Sequence, residues 1–216
     1  MAEQPALPQV HGIRMRIANL DQNGVPTPGV GQLYVTDAFT KVGITPVYTD
    51  GNEIETKNAQ GVTCVNYRSA DTFKRADIDI ELCSVDPYLV AMLTGGTVLT
   101  TGTPIKTGFS LPALGAVSGN GVSIEVWSRR VDDGEEDTDS PWGHWVYPRV
   151  KNLRIGDWAH DDNPNLPKIT GQAYENPNWF DGPLNDWTVA STRVAQYMPT
   201  TTLPVVQVGY YDIAAS

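Results

Sequence analysis

The sequence predicts a mainly β fold, a β-sandwich or partly closed barrel of about ten strands with one short flanking α-helix. Three observations carry this. Runs of period two recur along the chain, Gly (20) and Pro (16) are abundant enough for many turns, and only one segment has both a start and a stop signal for a helix.

The first strand is GIRMRIAN (12–19), where Ile13, Met15 and Ile17 alternate with Arg14 and Arg16, a half-buried pattern. A turn-rich loop follows, and LYVTDAFTKVGITPVYT (33–49) resumes extended structure. In VYTDGNEIETKN, Asp50-Gly51 reads as a hairpin turn of type I′, because this pair tolerates positive φ at both central residues. The flanks carry charge and little apolar surface, so the segment reads as an ordinary surface hairpin or as a projecting arm, the second placing Tyr48, Asp50, Gly51, Asn52 and Ile54 on that arm.

Val62–Tyr67 reads as a strand that turns into RADIDIEL (75–82). There Ile78, Ile80 and Leu82 alternate with Asp77, Asp79 and Glu81, giving one apolar and one carboxylate face. Asp86 then fits an N-cap, with Pro87 at the first helical position and Val85 and Val90 spaced as a hydrophobic staple. Gly95-Gly96 supplies the stop. A helix of two turns is unstable alone, so its apolar face must lie on a sheet.

Thr97–Gly121 is rich in Thr, Gly, Ser and Pro and reads as a long loop, a second candidate arm with Ile105, Phe109 and Leu114 as contact residues. VSIEVWSRRV (122–131), Trp145–Ile155 and Lys168–Glu175 are further strands. Between the first two, six of the eight residues 132–139 are acidic, which reads as a solvated loop. The C-terminal segment carries a possible strand at 192–197 and a terminal one in VVQVGYYD (205–212). No linker divides the chain, which is taken as a single domain over 1–216 with an extended C-terminal segment.

The net charge of −10 has the wrong sign for gripping a phosphate backbone. No apolar run reaches membrane-spanning length, and MAEQPALPQV lacks the basic and apolar regions of a signal peptide, so a protein used without secretory export is expected. Cys64 and Cys83 do not form a disulfide framework and read as two half-buried thiols.

No nucleophile elbow and no phosphate cradle is present. His144 and His160-Asp161-Asp162 do not repeat a metal-ligand spacing. The expectation is therefore no catalytic residue, no metal and no cofactor. All six tryptophans fall in the second half: Trp127 and Trp145 are expected in the core, and Trp179 and Trp187 are expected to pin loops or sit at a contact, sugar stacking included.

The phrases YTDGNEIETKN, CVNYR, KRADIDIELCSVDPYLVAMLTGG, GHWVYPRVKNLRIGD and KITGQAYENPNWFDGP together resemble the major tail tube proteins of long-tailed bacteriophages, from about Gly12 to about Pro183. The resemblance implies a sandwich-like subunit that joins copies of itself into stacked, hexameric rings. It implies a virion protein assembled in the host cytoplasm, with tape-measure and other tail proteins as partners and DNA passing through without specific binding. Asp77, Asp79 and Glu81 would then face the lumen of an acidic conduit. A tail terminator or baseplate-proximal ring of the same fold, and a carbohydrate-binding β-sandwich module, are the alternative readings.

Overall fold

The computed structural model describes residues 7–116, 119–157, 166–184, 187–190, 192–206 and 211–213. The protein is mainly β. In chain order the elements are β1 (Gln9–Asn19), β2 (Gly29–Thr36), β3 (Phe39–Thr49), β4 (Glu53–Lys57), β5 (Thr63–Arg68), β6 (Thr72–Leu82), α1 (Pro87–Thr94), β7 (Thr97–Thr101), β8 (Lys106–Ser110), β9 (Val122–Asp132), β10 (Glu135–Glu136), β11 (Trp142–Ile155), β12 (Lys168–Tyr174), β13 (Gln196–Thr200) and β14 (Tyr211–Ile213).

One antiparallel sheet runs β14-β2-β1-β9-β11-β12-β6-β3, with β10 added to β9 and β13 to β11. Strand β11 is the corner. Its first half pairs with β9 and β13, and its second half, beyond a register shift at Tyr147/Val150, pairs with β12. The sheet thereby folds over on itself as a sandwich that does not close into a barrel.

The core lies between the layers. Met15 and Ile17 of β1, Ile124 and Val126 of β9, and Tyr147 of β11 meet Ile78, Ile80 and Leu82 of β6 and Ile169 of β12. Helix α1 adds Leu89, Val90, Met92 and Leu93 to that cluster, so the helix is held by the sheet as its length requires. Asp86 caps it, accepting from the amides of Tyr88 and Leu89 at 3.0 and 3.3 Å, and Gly95 ends it at φ 75°. The staple does not form, because Val85 is exposed while Val90 is fully buried.

The layer containing β1 and β9 is covered on its second face as well. Residues 176–184 and 187–190 lie across it as a strap, with Trp179 buried against Val146 and Val189. Asn176 fixes the strap by donating to the carbonyls of Gly24 (2.7 Å) and Pro148 (2.9 Å). Under it Arg16 pairs with Glu125, and Glu125 also meets His144 Nε2 at 2.9 Å. His144 stacks on Trp127 at 4.0 Å between ring centroids. The alternation in β1 is therefore real, but the arginine face is not a solvent face.

Five further expectations are corrected. Asp50-Gly51 is not a hairpin turn: β3 pairs with β6 and β4 with β5, so the pair sits at the waist of one long ribbon whose turn is at Asn58–Gly61. The positive-φ Asp-Gly pair is Asp133-Gly134, which joins β9 to β10. The stretch 97–121 is not one long loop, since β7 and β8 form a hairpin within it. The acidic run is partly structured and partly neutralised, through Arg129–Glu136 (2.5 Å) and Arg130–Asp137 (2.7 Å). Cys64 and Cys83 are free and exposed, not half-buried. The penultimate strand falls at 196–200 instead of 192–197; of the terminal expectation, residues 207–210 lie outside the described residues, as do Trp158 and His160-Asp161-Asp162.

Candidate assembly surface

Three features of the surface face outward among the described residues. The first is the ribbon beyond the waist. Every residue of β4 and β5 is exposed, and among the described residues the two strands pair only with each other. Residues directly opposite in an antiparallel ladder share a face. The register Ile54↔Tyr67 and Thr56↔Val65 therefore collects Ile54, Val65 and Tyr67 on one face, while Glu53↔Arg68 and Glu55↔Asn66 form the other. The arm is amphipathic, and its apolar face is in water.

The waist itself is firmly bonded. Ser69 N donates to Asn52 O at 2.9 Å, Asn52 N to Ser69 Oγ at 2.8 Å, and Gly51 N to Asp71 Oδ1 at 2.8 Å. That amide bond, helped by the nearby Arg68 and acting against partial desolvation, holds the Asp71 carboxyl below the ordinary carboxylate range. Gly51 is required here for close approach: a Cβ would lie 1.8 Å from Ser69 O. At the root of the arm Tyr48 and Phe73 meet edge to face at 5.5 Å, both exposed.

The second feature is a cleft of about 760 Å³ between the two layers, beside the arm root. Val10 and Gly12 of β1 and Ile44 and Phe73 of β3 and β6 form its walls, and Trp145 lies at its floor. Both walls end in ladder edges that are open among the described residues. Strand β2 pairs with Met15–Ala18 of β1, so among those residues 9–13 have a partner on the β9 side alone, and β3 has a partner on the β6 side alone.

The third is the polar face of β3, β6 and β12. Asp77, Asp79 and Glu81 do share it, half-buried, as the alternation predicts. Each, however, is held by a cation: Asp77 by Arg75 (2.8 Å), Asp79 by Lys41 (2.8 Å) and Glu81 by Lys168 (3.0 Å). The Asp79 hydrogen bond and charge raise the Lys41 ammonium above its ordinary pKa. Gly43 leaves room for this, since a Cβ there would lie 2.2 Å from Asp79 Oδ1. The face is balanced in charge, which corrects the expectation of an acidic surface. Arg16, Lys57 and Arg68 are likewise matched to carboxylates within the chain.

The predicted contact residues divide accordingly. Tyr48, Ile54, Ile105 and Leu114 are exposed. Asp50, Gly51 and Asn52 lie at the waist and not at a tip. Phe109 is turned inward, half-buried against the core. The cleft and the Arg16–Glu125–His144 cluster were missed, because neither has a local sequence signal. Glu125 titrates below its ordinary value: burial acts to raise it, but the Arg16 guanidinium and His144 together outweigh burial. Burial pushes the Tyr147 phenol upward. No helix among the described residues is long and apolar enough to cross a membrane.

No protein-family model and no curated protein matches this chain.

Proposed function

We propose that the protein is a structural subunit, without enzymatic activity, that joins copies of itself into stacked rings forming the tail tube of a long-tailed bacteriophage. The observation that carries the self-assembly is the arm: a two-stranded ribbon with Ile54, Val65 and Tyr67 exposed on one face. Isolated two-stranded ribbons are marginal in water, and open ladder edges are completed by another chain or blunted. The family phrases in the sequence supply the identity of the assembly, its tape-measure and tail-protein partners, and its place in the virion.

In this reading the β3-β6-β12 face, with Asp77, Asp79 and Glu81, lines the conduit. Its passivity toward DNA comes from pairing: phosphate has to displace a carboxylate from Lys41, Arg75 or Lys168 before a lysine or arginine can hold it. Negative-stain imaging of the purified protein at rising concentration is the test. Long tubes are expected; single rings would move the assignment to a terminator or baseplate-proximal ring. A protein that stays monomeric throughout would overturn the assembly reading.

The carbohydrate-binding alternative loses its main support. Trp179 is 1% exposed and donates its indole N–H to Trp187 O at 3.2 Å, so its ring is spent on the strap and has no face for a sugar.

A further inference from the structure

We infer that Asn120-Gly121 is a site of spontaneous covalent modification: in the folded chain the Asn120 amide converts to a carboxylate, which supplies Lys151 with a counter-charge.

An Asn-Gly pair is reactive because glycine has no side chain to shield the backbone nitrogen that follows the asparagine. The chain has two such pairs, Asn23-Gly24 and Asn120-Gly121, and the fold treats them oppositely. At the first, the Gly24 nitrogen is engaged and covered: it donates to Asp21 O at 3.0 Å, and Gly24 is buried. The strap clamps the same turn, with Asn178 donating to Asn23 O and Asn176 to Gly24 O, each at 2.7 Å. At the second, Asn120 is exposed, and the Gly121 nitrogen donates to no group among the described residues. Only the far side of Gly121 is tied, its carbonyl accepting from Leu20 N at 3.2 Å. Close approach to β11 also requires glycine there, since a Cβ would lie 2.6 Å from Val150 O. The fold thus imposes the reactive pair and leaves its nucleophile free.

The reaction needs water alone. The Gly121 nitrogen attacks Asn120 Cγ, the new N–Cγ bond closes a five-membered imide, and the Cγ–Nδ2 bond breaks. Ammonia leaves with the proton from the Gly121 amide. Water then opens the imide at either carbonyl, giving aspartate or isoaspartate.

Lys151 is placed to receive the new charge. Its Cγ lies 3.0 Å from where a Cβ on Gly121 would sit, and it shares with Asn120 the lining of a cavity of about 450 Å³. It is half-buried and has no carboxylate in salt-bridge reach among the described residues. Burial, and then the charge of Arg149, hold its ammonium below its ordinary pKa.

The test is peptide mapping by mass spectrometry of the full-length protein, aged in mildly alkaline buffer with and without urea. In the folded protein Asn120 should convert about tenfold faster than Asn23, because the Gly24 nitrogen must first break its bond and open to solvent. In urea the two rates should converge. Equal rates in the folded protein, faster conversion at Asn23, or no conversion at Asn120 would overturn the site. A second measurement reads the charge: in full-length Asn120→Asp, NMR of labelled lysine should find Lys151 titrating at higher pH than in the wild type. A Lys151 that does not move overturns the pairing and leaves the modification to the mapping result.

Discussion

Arg16 and Glu125 face each other across β1 and β9 through two parallel hydrogen bonds of 2.7 and 2.6 Å, both side chains almost wholly buried. This fork-to-fork geometry satisfies both carboxylate oxygens, and His144 adds a third contact. A buried pair of this kind costs much to break and little to replace as a unit. Arg16→Met, which leaves the buried Glu125 without its guanidinium and with His144 beside it, is expected to destabilise by about 3–5 kcal/mol. The double replacement Arg16→Met with Glu125→Leu should cost markedly less. Urea denaturation of the two variants beside the wild type checks the order; equal losses would refute it.

The same carboxylate sets an acid limit. Its folded pKa lies below the ordinary value, so its stabilisation is complete above the unfolded carboxylate pKa and is lost as pH falls through the folded one. Melting temperature should hold steady from neutrality down to about pH 5 and fall increasingly below about 4.3. In Glu125→Gln, already less stable at neutral pH, that fall should be shallower. Parallel slopes in the two proteins would assign the acid loss to other groups.

Little of this centre was legible beforehand. Arg16 and Glu125 are 109 residues apart, and an arginine or glutamate alternating with apolar residues reads as a solvent face. The strap that converts that face into an interior comes from residues 176–184 and 187–190, where no periodicity announces packing. By contrast, α1 and β6 were readable because their signals are local: a capping aspartate, a proline, a glycine stop and a strict alternation. Asp50-Gly51 shows the limit of local signals. A dipeptide states which φ values it tolerates, not whether the strands on either side pair with each other, and here β3 finds its partner in β6 beyond the arm.

Gly51 is consequently a packing residue. Gly51→Ala drives a methyl into the Ser69 carbonyl, and overpacking of this kind costs about 1–3 kcal/mol. Because the waist lies outside the core, the loss should be local. Hydrogen exchange at the Asn52 and Ser69 amides should accelerate while the global melting temperature scarcely moves. Unchanged exchange would show that the waist is looser than its bonds indicate.

Charge balance on the β3-β6-β12 face gives a further expected outcome. Asp79→Asn with Glu81→Gln releases Lys41 and Lys168 from their carboxylates. Assembled variant protein should retain double-stranded DNA at low salt and lose it steeply as salt rises, whereas the wild type should retain little under either condition. Retention by the wild type equal to that of the variant would remove this face from the conduit.

The bonds that bridge the waist between the β3–β6 and β4–β5 ladders have a mechanical meaning. A load applied at the Asn58–Gly61 turn passes from one ladder through those bonds to the next and is delivered to the middle of the sandwich. The appendage is a beam and not a tether, and bending at one end of a string of such subunits would be felt in the sheets of the next.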